Sequence, residues 1–96
     1  MDNKNKDSSV ADITLKERDP KYGTFRVNSR VAHSIKSAFR AAPNWDRLPT
    51  DMAESLDMVA HKLSRLLCGD FNHLDSWHDA IGYLRLVERR LLGESP

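Results

Sequence analysis

Apolar side chains recur at steps of three and four over two long stretches of this chain. In the first, Met52, Leu56, Val59, Leu63 and Leu66 share one side of a helix. In the second, Trp77, Ala80, Ile81, Leu84, Val87 and Leu91 do the same. This is the helical period, not the alternation of a strand. The two stretches are joined by Gly69-Asp70-Phe71-Asn72-His73. Gly69 sits where a helix C-terminal glycine belongs, and Asn72 or Asp75 can cap the helix that follows. Thr50, after Pro49, is the expected N-cap of the earlier helix, with Asp51 and Glu54 suited to its positive end. Gly93 ends the last helix.

A further helix is expected from about Thr24 to Ala42, stopped by Pro43. Its apolar face is Phe25, Val31, Ala32, Ile35, Ala38, Phe39 and Ala42. The opposite face collects Arg26, Arg30, His33, Ser37 and Arg40, with Lys36 beside them. No Asp or Glu occurs between Asp19 and Asp46, so this exposed face is purely basic. Asn28 falls within the apolar face, where its amide must find partners, so it is given a structural role. The loop from Asn44 to Pro49 carries Trp45, placed to plug an end of the bundle.

Residues 1–19 are polar, and Val10, Ile13 and Leu15 are too sparse to bury much, so they read as a flexible tail. Pro20-Lys21-Tyr22-Gly23 is the punctuation before the first helix, and residues 20–93 are expected to form one helical domain. The expected fold is all-α, a three-helix unit. Such a unit has a thin core. Tyr83, Leu86 and Leu92 flank or oppose the main stripe of the last helix. That extra apolar surface predicts a homodimer, or a larger oligomer, that completes a helical bundle.

Composition narrows the classes. Hydrophobic residues make up 40% and charged residues 30%, typical of a helical domain. A net charge of +1 argues neither for bulk nucleic-acid binding nor for an acidic tail, so any electrostatic signal must be local. The single cysteine, Cys68, excludes an internal disulfide and suits a reducing compartment; beside Leu66 and Leu67 it is read as packing rather than nucleophile. The N-terminus is too polar for a signal peptide, and no apolar run approaches membrane-spanning length. A cytoplasmic protein without membrane contact is expected.

The candidate chemistry lies in the acids. Glu54, Asp57 and His61 share a face of one helix, opposite Leu56 and Leu63. Asp75 and Asp79 lie one turn apart on the next, among Gly82, Tyr83 and Leu86. Carboxylates at such spacing can converge on a hard cation such as Mg²⁺, which one or two carboxylates plus substrate phosphates can hold. Their bland alternative is a solvated face.

The pair Glu54-Ser-Leu-Asp57, a short linker, and then Asp75-Ser-Trp-His-Asp79-Ala-Ile-Gly-Tyr-Leu resemble the MazG-like all-α nucleoside triphosphate pyrophosphohydrolases. The run Met58-Val-Ala-His-Lys-Leu-Ser-Arg65 followed by Asp79-Ala-Ile-Gly-Tyr83 is similar to small phage and prophage proteins of a domain-of-unknown-function family with MazG-like character. The resemblance covers about Tyr22 to Leu91. It implies that Glu54, Asp57, Asp75 and Asp79 hold Mg²⁺. It further implies a metal-activated water that attacks a (d)NTP, giving a nucleoside monophosphate and pyrophosphate. If the chain is phage-encoded, it implies the host cytoplasm. This chain departs from the enzymes in having Asp where Glu is usual, and Ser76 where an additional acid is frequent. That departure opens the alternative of a weaker metal site or none.

Remaining phosphate charge falls to Lys62 and Arg65. The basic stripe of Arg26, Arg30, His33 and Arg40 can dock phosphates of a nucleotide, a cyclic oligonucleotide or nucleic acid, or pair with the acids of the other helices. Tyr22, Trp45 or Tyr83 is available for base stacking. A helix-turn-helix is disfavoured by the long Leu67–Asp75 connection and by a following helix that does not begin basic. His33, His61, His73 and His78 match no zinc pattern, and no nucleophile elbow occurs. Three functions follow as expectations. The first is Mg²⁺-linked nucleotide binding with pyrophosphohydrolase activity. The second is a non-catalytic binder that sequesters a nucleotide or cyclic-nucleotide signal, or binds a host protein. The third is a helical DNA-binding accessory protein.

Overall fold

A computed structural model describes residues 24–94. The expected tail at 1–19 and the Pro20–Gly23 punctuation lie outside the described residues. Helix α1 spans Phe25–Ala41, α2 Thr50–Cys68 and α3 Leu74–Leu91, with a short 3-10 turn at Trp45–Arg47. No strand occurs among the described residues. The architecture is all-α, as the periodicity predicts.

The helix ends follow local chemistry. Thr24 caps α1, its hydroxyl accepting the Val27 N–H at 3.3 Å. Thr50 is the first residue of α2 rather than its cap; Pro49 holds the cap position, and its carbonyl accepts from the Ala53 N–H at 3.1 Å. Neither Asn72 nor Asp75 caps α3. His73 does so by position, with its Nδ1 2.9 Å from the Ser76 hydroxyl. Asp70 instead shapes the loop, its carboxylate accepting the Asn72 N–H at 2.8 Å. At the end of α3, Gly93 adopts φ 88°, a left-handed backbone that glycine enters without steric cost. Its N–H reaches the Arg90 carbonyl and that of Glu94 the Arg89 carbonyl, the paired bonds of a Schellman closure.

Helix α2 is the spine. Helices α1 and α3 pack on its two flanks and scarcely meet each other. Burial follows this layout. Ser55, Val59, Ala60, Ser64 and Leu66 of α2 are buried, against Ala32 of α1 and Ser76 and Ala80 of α3. The seams are therefore built largely from small residues, which let backbones approach closely. Their hydroxyls are satisfied: Ser55 donates to the Tyr83 carbonyl at 2.7 Å, and Ser64 to the His61 carbonyl at 2.9 Å. Asn28 takes the structural role expected of it. Its amide nitrogen donates to the Thr24 carbonyl at 3.1 Å, and its oxygen lies 3.3 Å from the Ser64 hydroxyl.

The stripe of α3 departs from expectation. Trp77, Ile81, Leu84 and Leu91 are 49%, 63%, 47% and 65% exposed. The face that meets α2 carries Ser76, Ala80, Tyr83 and Val87 instead. Ala80 and Ile81 are adjacent in sequence, but one residue turns a helix by about 100°. A seam centred on Ala80 thus turns the Ile81 stripe outward. Phe25 of α1, also expected inside, is exposed. Trp45 lies against α1 rather than plugging a closed bundle. Its ring stacks on Phe39 at a centroid distance of 5.9 Å, and the Arg40 guanidinium sits 4.5 Å above it.

Candidate functional site

The charged side chains of the three helices are organised by two antiparallel seams. Between α1 and α2, Lys36 faces His61 and Arg40 faces Asp57, stepping one turn in opposite directions. Between α2 and α3, Asp51 pairs with Arg90 and Lys62 with Asp79. Arg40 grips Asp57 with both terminal nitrogens, at 3.0 and 2.8 Å, and also donates to the Lys36 carbonyl at 3.1 Å. Such two-point carboxylate recognition is geometry that only a guanidinium provides. Lys62 Nζ lies 3.0 Å from Asp79.

These pairs set the local electrostatics. The Arg40 hydrogen bonds hold the Asp57 carboxyl below its ordinary range, with the nearby Lys36 and His61 adding to the effect. Lys62 does the same for Asp79, helped by His78 and Arg65, and Arg90 for Asp51. His61 is pushed down from its ordinary value, first by burial and then by the positive charges of Lys36, Arg65 and Lys62, with only Asp57 opposing. A lowered imidazole pKa means that His61 is neutral near pH 7, and its Nε2, 3.3 Å from Lys36 Nζ, accepts rather than donates.

The predicted metal ligands are not gathered. Asp57 is engaged by Arg40, Asp79 by Lys62, and Glu54 and Asp75 lie exposed. Among the described residues no group of His, Cys, Asp or Glu is arranged to hold a metal ion. The reason is the register: cations of the neighbouring helix, not carboxylates, face Asp57 and Asp79. The predicted phosphate-binding residues divide. Lys62 and Arg65 sit half-buried on α2, beside these pairs. Arg26 and Arg30 are exposed near the start of α1, and Tyr83 is half-buried in the α2–α3 seam. Sequence reasoning placed Lys36 and His61 on separate faces and did not bring them together. The signal that could have found them is the antiparallel step, since Arg40–Asp57 fixes the register one turn away.

A second feature is apolar. Met52, Leu56, Leu84, Val87 and Leu91 line an open groove along the α2–α3 seam, continuous with the exposed stripe of α3. No helix among the described residues is long and apolar enough to cross a membrane. No protein-family model, curated protein or solved structure matches this chain.

Proposed function

We propose that this chain is a self-associating helical protein that binds the phosphate groups of a nucleotide. One observation carries the reading. Around Asp57 and Asp79 the cations Lys36, Arg40, Lys62 and Arg65 gather on adjacent helices, and Lys36 meets the His61 imidazole rather than a carboxylate. Phosphates suit such a cluster of cations, because each oxygen accepts several charge-assisted hydrogen bonds. The resemblance to MazG-like proteins supplies the ligand class. As they stand, the carboxylates do not fit a Mg²⁺ cage, so binding in this reading is through the cations and the ligand is left intact.

The second reading is Mg²⁺-dependent pyrophosphohydrolase activity. It is favoured by the placement of Asp57 and Asp79 on adjacent helices, in ion pairs whose acid side chains remain 20% and 47% exposed. Neither acid is fully buried, so solvent reaches both pairs. Titration calorimetry with linear and cyclic nucleotides, first with Mg²⁺ and then with EDTA, separates the two when the mixture is assayed for pyrophosphate. Binding that survives EDTA without pyrophosphate release supports the binder. Release that EDTA and Asp79→Ala both abolish overturns it in favour of the enzyme. A steep salt dependence with duplex DNA, and no nucleotide binding, points to the DNA-binding alternative.

Self-association rests on the α3 stripe. A second copy laid against Trp77, Ile81, Leu84 and Leu91 removes apolar surface from water at about 25 cal/mol per Å². Sedimentation equilibrium is the direct measurement. A dimer or larger assembly that dissociates on Leu84→Glu, with helicity retained, is the expected result; a wild-type monomer at every concentration refutes this part.

A further inference from the structure

We propose that two copies of this chain pack α3 against α3 in antiparallel fashion, about a two-fold axis between Ile81 and Leu84, so that Trp77 of each copy enters the α2–α3 groove of the other. This rests on the self-association proposed above and adds its orientation and its anchoring residue.

The exposed apolar residues of α3 follow the coiled-coil spacing. Leu74, Trp77, Ile81, Leu84 and Leu91 stand at alternating steps of three and four, with Glu88 in the remaining place. A seam of this spacing sets knobs of one helix into holes of its partner. The five are each about half to three-quarters exposed. At roughly 150–200 Å² for a large apolar residue, they leave on the order of 500 Å² for a partner to cover. A standard interface takes about 800 Å² from each side, about 60% of it apolar. The stripe therefore presents the apolar surface that one stable dimer needs.

A two-fold dimer requires a patch complementary to itself. The stripe has that property, because its steps read the same in both directions from the midpoint between Ile81 and Leu84. Reversing the partner sets Leu74 against the partner's Leu91, Ile81 against the partner's Leu84, and Trp77 against the partner's Glu88. Glu88 lines the groove together with Met52, Leu56, Leu84, Val87 and Leu91, so this register directs the indole into that groove. The Trp77 N–H already donates to the Phe71 carbonyl at 2.9 Å, so covering the ring strands no donor. A parallel partner would instead set Glu88 against a second Glu88, and like charges face to face across an interface are costly. In the antiparallel dimer each Glu88 keeps its own Arg85 and faces an indole.

The test places a spin label at Asp75→Cys or at Gly82→Cys, each in the full chain carrying Cys68→Ser, and reads label-to-label distances by pulsed electron resonance. Both positions are exposed and lie seven residues apart on one face of α3, so their sideways offsets match. At 1.5 Å per residue, the antiparallel dimer separates paired labels along the axis by about 22 Å at position 75 and about 2 Å at position 82. The distance at 75 is therefore expected to exceed that at 82. Trp77→Ala, with helicity retained, is expected to raise the dimer dissociation constant at least tenfold. Leu86→Ala, on another face of α3, is expected to leave it unchanged. Equal distances at the two positions, or a dimer indifferent to Trp77→Ala, overturn this arrangement and leave self-association standing. A chain that stays monomeric at every concentration, with no label-to-label distance, refutes both.

Discussion

Leu66 and Ile81 hold equivalent places in the two apolar stripes, yet the structure buries the first to 5% exposure and leaves the second 63% exposed. Truncating each to alanine separates the fold described here from a conventional closed bundle. Leu66→Ala leaves a cavity in the α2 spine, and such changes cost about 2–5 kcal/mol. At roughly 0.05–0.15 kcal/mol per residue, a domain of this size holds only a few to about ten kcal/mol in all. The loss is therefore a large fraction of the total, read as a clear fall in urea midpoint by circular dichroism. Ile81→Ala in a monomer should stay within about 0.5 kcal/mol, because little surface is buried there and alanine is the better helix former. If a second copy covers Ile81, the cost appears only through association, at up to about 1.5–3 kcal/mol for a residue the partner fully covers. Stability of a dimer rises by about 1.4 kcal/mol for each tenfold increase in protein concentration. The Ile81→Ala deficit should then vanish on dilution, whereas the Leu66→Ala deficit should not. Equal losses for the two variants at the lowest concentration would refute the outward placement of the α3 stripe.

Three other outcomes are expected. Arg40→Leu should release the Trp45 ring, seen as a red-shifted fluorescence maximum, and should flatten the acid limb of stability. The folded-state pKa of Asp57 lies below its ordinary 3.8, so the stability it contributes is present above that value and is lost as pH falls through the depressed one. A variant without the guanidinium has less of it to lose, and an unchanged acid limb would contradict this account. Ser55→Leu should destabilise by about 1–3 kcal/mol through overpacking of the α2–α3 seam. Ser55→Ala should cost only about 0.5–1.5 kcal/mol for its hydrogen bond to Tyr83; thermal denaturation ranks the two, and a harmless leucine would show that the seam is loose. Gly93→Ala should cost about 1–2 kcal/mol at the end of α3, because φ 88° is strained for any residue with a Cβ. Hydrogen exchange confined to the last turn of α3 is the measurement, and unchanged protection there would argue against the closure.

The sequence by itself determined the helices. Their period, the proline that ends α1 and the terminal Gly93 are local signals, and local hydrogen bonding acts on them directly. It also determined that apolar surface would exceed what three helices can hide, although it assigned the excess to Tyr83, Leu86 and Leu92. Tertiary structure decided which faces meet. Both Leu84 and Ala80 lie on apolar arcs of α3, and periodicity favours the larger side chain as core. Close approach of α2 and α3 favours the smaller one, because Ser55, Ser76 and Ala80 let the backbones come near enough for the Ser55 hydroxyl to reach the Tyr83 carbonyl. The same step fixed the charges. Spacing on a single helix can align Glu54 with Asp57, or Asp75 with Asp79, but whether a carboxylate meets a second carboxylate or a cation depends on the neighbour's register. That register set Arg40 against Asp57, Lys62 against Asp79 and Lys36 against His61. It is a non-local quantity, decided by side-chain volumes across a seam, and no pattern within one helix encodes it.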